Sequence, residues 1–140
     1  MPNWTTNDVL VTTKSKKHTD LFIKKMKSKE SDFDFNSIVP MPKNIFKGGL
    51  GKKEEEKYGS LNWRDWSCEN WGTKWNSVDV DVERISDTMV SYSFLTAWCP
   101  PLPIYQALLE RYSKLQNVKF EWTCVDEDSD GSQYDLSEEL

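Results

Sequence analysis

Val78-Asp79-Val80-Asp81-Val82-Glu83 is the stretch on which the fold turns. Its strict two-residue period predicts a strand with valines on one face and carboxylates on the other. Ser86-Asp87 marks a turn, and Met89 to Ala97, rich in β-branched and aromatic residues, returns as the second arm of a hairpin. Pro100-Pro101-Leu102-Pro103 then sets a helix start, because proline lacks only an N–H that the first turn leaves unpaired anyway. Ile104, Leu108, Tyr112 and Leu115 follow at helical spacing, and Val118 to Cys124 closes as a strand. The second half therefore has the order β-β-α-β.

Towards the N-terminus, Trp4 to Thr12 predicts a strand, with Val9 and Val11 in alternation. A helix follows, with Thr19 as N-cap, Asp20 in its first turn, an apolar stripe of Leu21, Phe22 and Met26, and lysines on the solvent side. Phe33 to Val39 predicts a further strand, with Phe33, Phe35 and Ile38 turned to the core, ended by Pro40-Met41-Pro42. Residues 43–58, with Gly48, Gly49, Gly51 and a Lys/Glu run, form an exposed excursion. Leu61 to Trp71 forms a short helix. The whole is β-α-β, an insert, then β-β-α-β. It predicts an α+β, ferredoxin-like sandwich: an antiparallel or mixed sheet, two helices on one face, and a Trp-rich insert over 43–76. Residues 1–125 make one domain, followed by an acidic tail, 126–140, in which Tyr134 and Leu136 are the residues able to dock.

The chain has 140 residues and a formal charge of -5, and the charge is unevenly spread. Asp126, Glu127, Asp128, Asp130, Asp135, Glu138 and Glu139 fall in the last fifteen residues; without them the 23 acids drop to 16, against 18 bases. A near-neutral body with an acidic end results. Three cysteines, Cys68, Cys99 and Cys124, stand without a CxxC pair. No apolar run approaches the roughly 20 residues that span a bilayer, and the N-terminus has no charged-then-apolar pattern. Reduced thiols in a cytoplasm, and no membrane, are the expectation.

Four separated motifs then coincide. They are Pro2-Asn3-Trp4 with Asn7; Phe35-Asn36-Ser37-Ile38-Val39-Pro40-Met41-Pro42; Asn70-Trp71-Gly72-Thr73-Lys74-Trp75-Asn76; and Phe94-Leu95-Thr96-Ala97-Trp98-Cys99-Pro100-Pro101. Together, over residues 2 to about 124, they resemble the YubB-like ferredoxin-like domain family of bacterial plasmids and phages. The resemblance implies the same fold, a mobile-element origin and a bacterial host cytoplasm; it implies no iron–sulfur cluster and no activity. Two positions depart from the family: Thr5 stands where cysteine is common, and the run after the last strand is acidic rather than glycine-rich and aromatic.

The Trp/Asn segment holds the first candidate site: Trp71, Lys74 and Trp75, with Asn70 and Asn76. Its rings serve either to present faces to a ligand or to plug one end of the sheet, packing being the commoner use of tryptophan. The second candidate is basic: Lys14, Lys16 and Lys17 before the first helix, Lys24 and Lys25 on it, a patch that suits a phosphate backbone or is a solvated face. The third is the acidic tail, Asp126, Glu127, Asp128 and Asp130, either a polyanion mimic or a solvated terminus. Lys47-Gly48-Gly49-Leu50-Gly51-Lys52 misses a phosphate loop at two positions. Asp79, Asp81 and Glu83 project from one strand face, either as divalent-metal ligands or as a solvated ladder with no His or further carboxylate nearby in sequence; the acidic tail lacks the ligand spacing of an EF-hand loop. His18, the single histidine, has no nucleophile motif around it. No catalytic residue, metal or cofactor is expected. The sequence predicts a non-enzymatic module that binds a protein partner in the bacterial host, with nucleic acid as the alternative partner and the oligomeric state undetermined.

Overall fold

A computed structural model describes residues 3–59, 61–127 and 132–140. Pro2 of the N-terminal motif, and Asp128, Ser129, Asp130 and Gly131 of the acidic run, lie outside the described residues.

Strands β1 (Trp4–Thr12), β2 (Val78–Arg84), β3 (Met89–Ala97), β4 (Lys119–Asp126) and β5 (Tyr134–Asp135) form one sheet in the order β2-β3-β1-β4-β5. Every pairing is antiparallel. Four helices accompany it: α1 (Lys16–Met26), α2 (Lys52–Tyr58), α3 (Trp63–Asn70) and α4, which begins at Leu102–Leu108 and continues through a π-turn, Leu109–Ser113, into Lys114–Gln116. The protein is α+β, with a five-stranded antiparallel sheet.

One face of the sheet is the core. Val9 and Val11 of β1, Val90, Tyr92 and Phe94 of β3, and Trp122 and Cys124 of β4 are buried there. Phe22 and Met26 of α1, and Ile104, Leu108 and Tyr112 of α4, pack onto them. Phe33 lies stacked on Phe94 with ring centroids 4.9 Å apart. A polar residue sits in the middle of this apolar layer. Asn7 donates from Nδ2 to the Thr5 carbonyl (3.2 Å) and Thr96 Oγ1 (3.0 Å), and its Oδ1 accepts the Trp122 indole N–H at 3.0 Å. Its buried amide is therefore satisfied, as burial of a polar group requires.

Several expectations are corrected. Phe33 to Val39 is not a strand. Phe33, Phe35 and Ile38 are buried as expected, but the backbone makes a 3₁₀ turn over Phe35–Ser37. Asp34 caps that turn by accepting the Asn36 N–H, and Asn76 Oδ1, 41 residues away, accepts the Phe35 N–H at 2.9 Å. Side chains thus take the backbone groups that a sheet ladder needs. Helix α1 is capped by Ser15, not Thr19, so Lys16 and Lys17 lie in its first turn and Thr19 is buried within it. Leu21, placed in the apolar stripe by sequence, is exposed.

Leu115 also leaves the core, being 78% exposed. The π-turn in α4 adds a residue to one helical turn, which rotates everything after it off the Ile104–Leu108–Tyr112 stripe. In β2, the pairing register shifts between Val78 and Asp81, and Asp79 takes φ 51°. This bulge puts Val78 opposite Leu95 while Val82 pairs with Tyr92, so the valines do not share one face.

Of the acidic end, the described residues 132–140 pack against the domain. A boundary at 125 falls inside β4, β5 pairs with β4, and Leu136 is fully buried. Lys52–Tyr58 is helical and buries nothing, as its charge demands.

Candidate functional site

The Trp/Asn loop is fixed from several sides. Gly72 sits at φ 79°, and a Cβ on it would lie 2.6 Å from Pro103 Cδ. The Thr73 hydroxyl donates to the Ala97 carbonyl at 2.7 Å, and the Cys99 thiol donates to the Gly72 carbonyl at 2.7 Å. The loop and the Thr96–Pro101 segment are thus one unit, at the sheet end where β1 starts and β3 and β4 finish.

The sequence candidates divide there. Trp71 is 4% exposed; its indole N–H donates to the Val39 carbonyl at 2.8 Å, and its ring meets Phe35 and Trp66 edge-on. Asn70 donates to the Trp66 carbonyl at 3.0 Å. Asn76 accepts from the Phe35 and Ser77 N–H groups and donates to Asp34 Oδ1 at 2.7 Å. These three residues build the loop, Trp71 buried and Asn70 and Asn76 half-buried. Trp71, expected as a recognition residue, is placed within the packing of the loop.

Lys74 and Trp75 are different. The Lys74 ammonium lies 4.7 Å from the Trp75 ring centroid and 5.0 Å from that of Trp98. Trp4 packs against Trp75 with centroids 5.9 Å apart. Trp98 is 49% exposed and takes φ 74°. A bulky residue at positive φ is strained by about 1–3 kcal/mol and persists only where its surroundings over-determine it. They do so here: the Trp98 N–H donates to the Asn3 carbonyl at 2.7 Å, and Thr96 Oγ1 donates to the Cys99 carbonyl at 2.8 Å. Trp98 and Trp4 were not singled out as site residues by sequence. The only local signal was that Trp98 directly precedes the Cys99-Pro100-Pro101 break, where a chain leaving a strand must turn.

Beside this patch lies a cavity of about 490 Å³, lined by Gly72, Cys99, Pro100, Leu102, Asp126, Tyr134, Leu136 and Glu139. Asp126 accepts from the Thr5 hydroxyl (2.9 Å) and the Tyr134 hydroxyl (3.0 Å), and Glu127 Oε2 accepts the Trp4 N–H at 2.6 Å. Asp126 and Glu127 are therefore engaged with β1, whereas Asp135, Glu138 and Glu139 are exposed. Asp128 and Asp130 are outside the described residues.

On the sheet face opposite the core the pairing rows are largely polar. Asp81, Ser93, Asp8, Thr123 and Asp135 make one row across all five strands, and Glu83, Ser91, Leu10 and Glu121 the next. The five carboxylates in these rows are exposed. Trp4 shares their side of β1, two steps of alternation from Asp8. The lysines form a separate surface: Lys14, Lys16, Lys17, Lys24 and Lys25 are all exposed, on α1 and the residue leading to it.

The bulge in β2 breaks the Asp79, Asp81, Glu83 ladder, and among the described residues no three His, Cys, Asp or Glu side chains are grouped to hold a metal ion. The Lys47 ammonium points back to the Pro42 and Ile45 carbonyls. His18 Nδ1 is hydrogen-bonded to the N-capping Ser15 hydroxyl at 2.6 Å. Burial pushes the Cys68 and Cys99 thiols up and drives Cys124 up to about 12, the opposite of nucleophile activation. Cys68 and Cys99 are exposed, whereas Cys124 is buried. Among the described residues no helix is long and apolar enough to cross a membrane.

No protein-family model matches this chain, and no curated protein or solved structure matches it either.

Proposed function

We propose that this protein is a non-enzymatic protein-interaction module whose contact surface is the Trp75–Lys74–Trp98 patch with Trp4. The observation that carries the reading is Trp98, a half-exposed indole held at φ 74°. Strain kept at an exposed aromatic position serves no packing purpose, and tryptophan is the residue most enriched among binding hot spots. The 490 Å³ cavity beside it supplies a recess for a partner side chain.

The finer fold assignment belongs to the same reading. Strands β4-β1-β3-β2, linked as β-α-β-β-α-β with α1 and α4 over one face, support a ferredoxin-like sandwich carrying the Trp-rich segment as an insert. A mobile-element origin and a host or defence factor in a bacterial cytoplasm as partner rest on the four sequence motifs quoted above.

The test is capture of partners by the tagged protein, with and without nuclease, identified by mass spectrometry and compared with Trp98→Ala and Lys16→Glu/Lys24→Glu variants. A partner that survives nuclease and is lost with Trp98→Ala alone supports the module. One observation favours a second reading, nucleic-acid binding: the five lysines of the α1 patch have no carboxylate within 4 Å among the described residues. That reading predicts nuclease-sensitive recovery, steep loss with salt, and dependence on the lysines only.

A further inference from the structure

The partner's chemistry is written in what fills the patch now. One ammonium, that of Lys74, reaches the faces of both Trp75 and Trp98, so the two indoles flank a single cation-sized gap. Among the described residues no carboxylate lies within 4 Å of Lys74, and its charge is met by ring faces. We propose that Trp75 and Trp98 form a cation cleft, occupied in the free protein by the chain's own Lys74, which receives an arginine or lysine side chain from a basic segment of a protein partner. This rests on the patch being a protein-binding surface and names what that surface selects.

Three observations favour a cation over an anion. The Glu127 carboxylate is bound to the Trp4 N–H, at the foot of the ring that packs on Trp75. Asp126 and Glu139 line the adjoining cavity. Asp8, Asp81 and Asp135 continue the same sign of charge over the sheet face that Trp4 shares. A phosphate would be drawn by the Lys74 ammonium and opposed by these surrounding carboxylates, whereas a basic segment meets complementary charge at each of them.

The exchange is favourable in direction. An arginine guanidinium stacks on indole better than a lysine ammonium does and is more weakly hydrated, so it gains more from the cleft. The released Lys74 ammonium returns to water. Pro100, Leu102 and Leu136 of the cavity leave room for an apolar side chain next to the cation in the partner segment.

The experiment follows the indole N–H signals of Trp75 and Trp98 by ¹H–¹⁵N NMR. Three probes are titrated: a blocked peptide of alternating arginine and leucine, N-acetyl-arginine amide, and inorganic phosphate. Lys74→Ala empties the cleft and is expected to tighten peptide binding roughly 5- to 30-fold, the worth of one or two cation–π contacts. Trp98→Ala is expected to abolish it, and Trp98→Phe, which keeps a ring with a weaker face, to fall between. The amide alone is expected to move the same two signals at higher concentration; if the peptide binds and the amide does not, the cleft is not reading the cation and the proposal fails. It fails equally if Lys74→Ala weakens binding or leaves it unchanged, if neither basic probe binds any variant, or if phosphate moves the two signals and Lys74→Ala removes that response. Should Trp98→Ala remove a captured partner while no basic probe binds, the interaction module stands and the cation cleft alone is overturned.

Discussion

Replacing Trp98 by glycine and by alanine separates strain from contact. Neither variant carries the indole, so loss of the ring and of its Lys74 contact cancels between them. What differs is the backbone, which the Trp98 N–H to Asn3 bond and the Thr96 hydroxyl to Cys99 carbonyl bond hold at φ 74°. A Cβ at positive φ costs about 1–2 kcal/mol. Alanine recovers about 0.4–1 kcal/mol through its smaller unfolded-state entropy. Glycine is therefore expected to be the more stable of the two by about 0.8 kcal/mol, within bounds of about 0 and about 1.6, the reverse of their usual ranking outside turns. At this chain length that is roughly 2–4 °C in Tm for each kcal/mol. Urea unfolding followed by circular dichroism, with equal m-values required, reads the difference. Alanine more stable than glycine would refute the strain, and with it the main argument that Trp98 is held out for recognition.

Three further outcomes are expected. Gly72→Ala meets both a positive φ and Pro103 Cδ at 2.6 Å, so it should destabilise by more than the about 1 kcal/mol that separates Gly from Ala elsewhere; an unchanged urea midpoint would sink the close-approach account. Asn7→Leu orphans the buried Trp122 indole N–H and should cost about 1–3 kcal/mol, whereas Leu136→Ala should cost about 2–5 kcal/mol if the acidic end is docked as described; near-neutral melts of either would contradict its placement. The Cys124 thiol is raised in the fold from 9.0 to about 12, so the folded state keeps its proton longer than the unfolded chain does. Its contribution is complete below pH 9 and is lost as pH rises through about 12, so Cys124→Val should flatten the fall in stability over that window, measured as urea midpoint against pH.

Much of the fold was legible locally. The hairpin of β2 and β3, the starts of β1 and β4, and the run of α4 from its prolines follow from residue period and turn chemistry within ten or so positions. So do the identities of the core rings Phe22, Phe33, Phe35 and Tyr112, which must leave water whatever backbone carries them. The tertiary structure decided what those local rules leave open. Phe33 to Val39 became a turn because Asn76, far along the chain, took the hydrogen bond that a strand partner would have received. Val78 and Leu115 changed sides because a bulge and a π-turn each inserted one residue into an otherwise regular period. The candidate site shows the same division. Its tryptophans and Lys74 are plain in the sequence, but Trp71 and Trp98 are the same residue type, and only the packing of α3, Val39 and the Thr96–Pro101 turn buries one and exposes the other. Periodicity reports which side chains prefer to be buried; which of them find a place is set by contacts between segments that the sequence does not place next to one another.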